Sequence, residues 1–230
     1  MSAFQSTMRE ISEIATMINP MVRIDYARHL FATATACSIR GYDYDETVEL
    51  GGFCLPSRER DYVLLSVADD NLVKNAKHEL FHSIQDLLLP EELATLREYF
   101  YNEDELMFCE DCSESFSQWA SSTHWRGPAT LGLLFYRVFT GEVAARSLYH
   151  KNQVWTAEDS LIVDSATITG DHIILLKDGR EKRIDCITLK KVLRSPLPPF
   201  RFRSPEESER VRGLRARGGE IAPIFGCVGR

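Results

Sequence analysis

Lys77-His78-Glu79-Leu80-Phe81-His82 is a complete H-E-x-x-H, and its reading decides the fold. On a helix, His78 and His82 stand one turn apart and project from one face. Two neutral imidazoles at that spacing can hold one zinc ion, and Glu79 beside it can accept a proton from water activated by the metal. The flanking residues predict that helix. Leu72, Val73, Ala76, Leu80, Phe81, Ile84, Leu87 and Leu88 form an apolar stripe broad enough for a buried central helix running to about Leu88, with both histidines at its edge. Asp69-Asp70 can cap its start, and the β-rich run Tyr62-Val63-Leu64-Leu65-Ser66-Val67-Ala68 before it reads as a strand. If that strand lies at a sheet edge, it can pair with an extended substrate backbone.

A catalytic zinc needs a third protein ligand and an open position for water. The acidic stretch Glu110-Asp111-Cys112-Ser113-Glu114-Ser115-Phe116-Ser117 offers one. Glu110 and Glu114 are one turn apart on one helix face. One can bind the metal; the other can accept the free imidazole N–H of a ligand histidine and fix its tautomer. Spacing alone leaves open which does which. The plain alternative is a solvated acidic face, against which small Ser113 and Ser117 beside large Phe116 argue for packing. Cys109-x-x-Cys112 on the same helix reads as packing rather than a redox or metal pair. Asp86, one turn after His82, is either a partner of the site or a surface group.

Strand, H-E-x-x-H helix and later glutamate helix together resemble the gluzincin metallopeptidases. In many of these the later helix reads E-x-x-A-(D/N)-x-F-A, and Glu110-x-x-Ser113-Glu114-x-Phe116-Ser117 is similar, with Ser for both Ala and Glu for Asp. The resemblance implies that Glu110 is the metal ligand and Glu114 the residue behind a ligand histidine. It also makes His124, next to Trp125, a candidate oxyanion stabiliser. The spacing from His82 to Glu110 is similar to that of the ImmA/IrrE-type peptidases. His78 to Leu89 and Glu114-Ser115-Phe116-Ser117-Gln118-Trp119-Ala120 resemble zincin domains in polyvalent proteins of phages and conjugative elements. The likeness covers residues 20–150 and implies zinc-dependent hydrolysis of a protein or peptide, with delivery by a mobile element.

Outside the motif the chain reads as alternating helices and short strands. Residues 2–18 form an amphipathic helix stopped before Pro20. Residues 21–26 and 47–50 are strands, with Gly51-Gly52 as a turn. Pro90 opens a helix with Glu91-Glu92 in its first turn, Asn102 caps the glutamate helix, and residues 129–139 form an apolar core helix ended by Gly141. A short helix can follow from Glu142 to Tyr149. From about residue 155 short strands dominate, and Asp178-Gly179 marks a hairpin. Ser204-Pro205-Glu206-Glu207 opens a last helix, leading into a basic tail.

The expected fold class is α+β: a zincin-like, mainly helical domain with a small sheet over residues 1–154, a small β-rich C-terminal module over 155–200, and a basic tail over 201–230. With 230 residues, 44% of them hydrophobic, the chain can bury a sizeable core. A net charge of −7 gives no bulk attraction to nucleic acid; only Arg201, Arg203, Arg210, Arg212, Arg215 and Arg217 form a local basic patch. No apolar run reaches membrane-spanning length, and the opening residues show no signal-peptide pattern. The scattered cysteines Cys37, Cys54, Cys109, Cys112, Cys186 and Cys227 then read as reduced thiols in a cytoplasm. Two functions remain in view. One is a zinc metallopeptidase; the other is a non-catalytic zincin scaffold that binds a partner protein or, through the basic tail, nucleic acid.

Overall fold

The computed structural model describes residues 3–33, 36, 47–55, 61–100, 102, 104–146, 160–169, 172–185 and 228–229. The basic patch at 201–217, the helix at Ser204 and three of the cysteines, Cys37, Cys186 and Cys227, lie outside these residues.

Helix α1 (Ala3–Ile18) buries Met8, Ile11, Ile14, Ala15 and Ile18 along one stripe. After Pro20 the chain enters β1 (Arg23–Ala32), which runs well past the strand expected at 21–26 and absorbs the ambiguous residues behind it. Two-residue β2 (Val48–Glu49) pairs antiparallel with the end of β1. Then comes β3 (Gly52–Leu55), all four residues buried, where the glycine pair predicts only a turn. β4 (Tyr62–Ser66) is the clear strand before the motif.

β4 lies parallel to β1 on one side and antiparallel to β3 on the other. It is therefore an interior strand, with no free edge for a peptide to join. The strands expected in 155–200 continue this same sheet. β5 (Ile162–Ile168) lies parallel beside β1, followed by the antiparallel meander β6 (His172–Lys177) and β7 (Arg180–Asp185). Asp178 and Gly179 turn that hairpin with φ of 50° and 70°, the left-handed pair a type I′ turn demands. β8 (Val228–Gly229) pairs with β3, giving a mixed sheet in the order β7-β6-β5-β1-β4-β3-β8. Buried Asp25 ties the centre: its carboxylate accepts the Leu161 N–H at 2.8 Å and the Tyr62 hydroxyl at 3.0 Å.

The helices gather on one face of the sheet. Ile24, Tyr26, Cys54, Val63 and Leu65 meet α1, the motif helix α2 (Leu72–Ile84), α4 (Glu105–Ser121) and α5 (Ala129–Phe139) in one core. Leu64, Phe53 and Leu55 point the other way, into a second cluster with Leu30, Val163 and Ile173, the alternation expected of strands buried on both faces. α3 (Pro90–Tyr99) connects α2 to α4, and its first turn is fixed by Glu92 accepting the Leu89 N–H at 2.8 Å. Gly141 ends α5 with φ 76°, and the helix expected at 142–149 is a single 3-10 turn at Ala144–Arg146 within the described residues. No helix among the described residues is long and apolar enough to cross a membrane.

Candidate metal centre

α2 begins at Leu72, later than the aspartate pair predicts. Asp69 accepts the Asn71 N–H at 2.7 Å and turns the chain ahead of the helix rather than capping it. The helix ends at Ile84, and the apolar run to Leu88 continues as a 3-10 turn (Gln85–Leu87). Leu80, Phe81 and Ile84 are fully buried. Phe81 packs at a tilt against Phe116 of α4, with centroids 5.0 Å apart, and meets Phe135 of α5 edge-on at 6.0 Å. This aromatic contact fixes the face that α2 presents to α4, and the histidines lie on that face.

Three side chains converge there. His78 Nε2 is 3.0 Å from His82 Nε2 and 3.1 Å from Glu110 Oε2; His82 Nε2 is 3.9 Å from Glu110 Oε1. Among the described residues these are the group of His, Cys, Asp or Glu side chains close enough to hold a metal ion, all ligand atoms lying within 4.8 Å of one another. Zn–N and Zn–O bonds of about 2.0–2.1 Å place tetrahedral ligand atoms about 3.3 Å apart, so one small cation fits between them.

The protonation pattern points the same way. Ser113 donates its hydroxyl proton to the Cys109 carbonyl at 2.9 Å, so its oxygen accepts from His82 Nδ1 at 3.0 Å. Gln85 Oε1, also an acceptor, lies 3.0 Å from the same nitrogen. His82 therefore carries its proton on Nδ1 and turns the Nε2 lone pair toward the group. The His78 ring lies between two carboxylates, its Nε2 3.1 Å from Glu110 Oε2 and its Nδ1 3.7 Å from Glu114 Oε2. A ring nitrogen of each histidine and a carboxylate packed this closely need a proton or a metal cation among them. Burial pulls the pKa of His78 down, but the hydrogen bond to Glu110 and the nearby carboxylates of Glu114 and Glu79 push it up to about 10. Glu114, held by His78 and Lys74 against a smaller opposing effect of burial, lies well below the usual carboxylate range. A donor set of two imidazoles and one carboxylate suits a divalent transition metal such as zinc or iron(II).

Glu79 is outside the three-residue group. It is fully buried, and its side chain lies against β3, where a Cβ on Gly52 would stand 2.7 Å from its Cγ and Oε1. Gly52 is thus a glycine because α2 passes that close, which is why this strand opens on a glycine. His124 is exposed after α4, its N–H bonded to Ser122 Oγ, and does not join the group. Cys109 and Cys112 are buried on α4, and burial pushes the Cys112 thiol well above its ordinary value. Gln85, neighbour of the expected Asp86, and Ser113 are the site residues that motif spacing does not flag. A polar residue one turn from each ligand on an otherwise apolar face is their only mark in the sequence.

No family model, curated protein or solved structure matches the chain.

Proposed function

We propose that the chain is a zinc-dependent metallopeptidase with a zincin-like α+β scaffold, in which His78, His82 and Glu110 bind zinc and Glu114 orients His78. The observation that carries this reading is the convergence of those three ligand atoms from two antiparallel helices, with His82 held by Ser113 and Gln85 so that its Nε2 lone pair faces the same point. When bound there, zinc supplies a Lewis acid that polarises a carbonyl and makes water a nucleophile near neutral pH. Glu79, adjacent in sequence to His78, would be the group to accept a proton from water so activated and return it to the leaving amine. Gln85 and Ser113 hold His82 in the tautomer that binds metal. The substrate class under this reading is a protein or peptide, met in a cytoplasm, with exposed His124 the candidate oxyanion partner.

Metal analysis of the purified protein tests the first half: one zinc per chain is expected, lost on mutation of His78 or His82. Proteolysis assays with and without chelator test the second. Glu79→Gln should retain zinc and lose turnover; full turnover in that variant would remove the mechanism.

One observation favours a second reading. Glu79 is fully buried and lies against β3, as a residue that stiffens a scaffold would. In that case the centre is a non-catalytic zinc site in a zincin scaffold that binds a partner protein or nucleic acid. Stoichiometric zinc with no chelator-sensitive hydrolysis supports it.

A further inference from the structure

Along the α2–α4 contact the polar side chains form a ladder. Lys74, His78 and His82 follow one another at four-residue intervals on α2, opposite Gln118, Glu114 and Glu110 on antiparallel α4. The first rung lies beyond the metal ligands. Lys74 Nζ donates to Glu114 Oε1 at 2.5 Å, and Gln118 Nε2 donates to the same oxygen at 2.8 Å. Oε2, the other oxygen, is the one that faces His78 Nδ1. The Glu114 side chain is 42% exposed and Lys74 39%, so packing alone does not fix the carboxylate.

We propose that Lys74, assisted by Gln118, is a positioning residue for this centre: it pins Glu114 as the acceptor behind His78 and keeps that carboxylate out of the ligand set. The inference rests on the metal-binding reading of His78, His82 and Glu110. Its physical basis is direct. Glu110 and Glu114 are the same residue type one turn apart, and each lies beside His78, so residue type does not decide which one binds the cation. An ammonium group on Oε1 decides it. It occupies one Glu114 oxygen, balances its charge and lowers its attraction for a nearby cation, while Oε2 remains to receive the Nδ1 proton. Glu110, whose oxygens face the Nε2 atoms of both histidines, is the carboxylate left as the ligand. Lys74 touches neither metal nor substrate and acts only through Glu114.

Zinc affinity, read by competition with a chromophoric chelator, tests this together with unfolding of the metal-free protein. Lys74→Met should weaken zinc binding about tenfold, the loss typical when a group behind a ligand is removed. The metal-free melting temperature should be nearly unchanged, because the ion pair is half exposed. Lys74→Arg should restore most of the affinity. Glu114→Gln should weaken binding as well, and the double variant Lys74→Met/Glu114→Gln should bind no more weakly than Glu114→Gln alone, since both changes remove one pathway. Should Lys74→Met fold poorly, Gln118→Leu reads the same anchor with a smaller loss. Wild-type affinity in Lys74→Met, or losses that add in the double variant, would overturn the role of Lys74. Absence of zinc binding in the wild type would overturn the metal centre itself, and the two failures are distinguishable because His78→Ala must abolish binding in the first case.

Discussion

Gly52→Ala is the sharpest test of how α2 sits on the sheet. The added methyl would stand 2.7 Å from both Cγ and Oε1 of Glu79 and 3.1 Å from its Cδ. Non-bonded carbons rest at about 3.5–4.0 Å, so these contacts overlap by roughly half an ångström to more than one. Glu79 is fully buried and has no solvent to swing into. The substitution is therefore an overpacking change costing about 1–3 kcal/mol, partly offset by up to about 1 kcal/mol from the stiffer unfolded chain. At about 2–4 °C per kcal/mol for a chain of this size, the melting temperature should fall by about 5 °C. The control is a four-protein cycle of wild type, Gly52→Ala, Glu79→Ala and the double variant, followed by thermal and urea unfolding. With the Glu79 side chain gone, the methyl meets no obstacle, and Gly52→Ala should become neutral or slightly stabilising. An equal cost of Gly52→Ala in both backgrounds would refute the packing of Glu79 against β3.

Zinc at about a hundred times its dissociation constant should stabilise the fold by about 2.7 kcal/mol, a rise of roughly 5–10 °C in melting temperature; scanning fluorimetry should show the shift in wild type and none in His82→Ala. Ser113→Ala leaves His82 Nδ1 with Gln85 alone and should weaken zinc binding about tenfold in a chelator competition; unchanged affinity would remove the tautomer argument. Glu92 anchors α3 through Arg146, bonded at 2.8 Å, and Arg137 at 2.9 Å. Burial alone would raise its pKa, but the Arg146 hydrogen bond, the Leu89 N–H and the two guanidinium charges hold it below the usual carboxylate range. Its contribution is thus present above the unfolded value of about 4.3 and disappears as pH falls through the lower folded value. Glu92→Gln should cost about 2 kcal/mol at pH 7 and flatten the acid limb of the stability profile measured by urea titration.

The elements with strong periodic signals were legible from sequence. The apolar stripe of α2, the capping glutamates of α3, the bounds of α5 at 129–139 and the Asp178-Gly179 turn all follow from local chemistry. Four-residue spacing sets His78 with His82 on one face and Glu110 with Glu114 on another, but only the packing of α2 against α4 brings Glu110 rather than Glu114 to the two Nε2 atoms. What local reasoning does not reach is pairing between distant segments. β3 reads as a turn because the reason for Gly52 is Glu79, a residue of another element. β4 could be taken for an edge because the strands that flank it, β1 and β3, lie elsewhere in the chain. Gln85 and Ser113 matter only once α2 and α4 are set side by side.

The place of β1 at the centre of the sheet bears on how the chain can be made and cut. One of its flanks is completed only by residues 162–168, which the ribosome delivers long after the motif helix. Until then a ten-residue strand presents an unsatisfied row of amides and carbonyls, a template for association with other chains. A product stopped at residue 154 would retain every metal ligand yet leave that flank bare. It should be recovered as aggregate, whereas a product extended through residue 185 should remain monodisperse by size-exclusion chromatography.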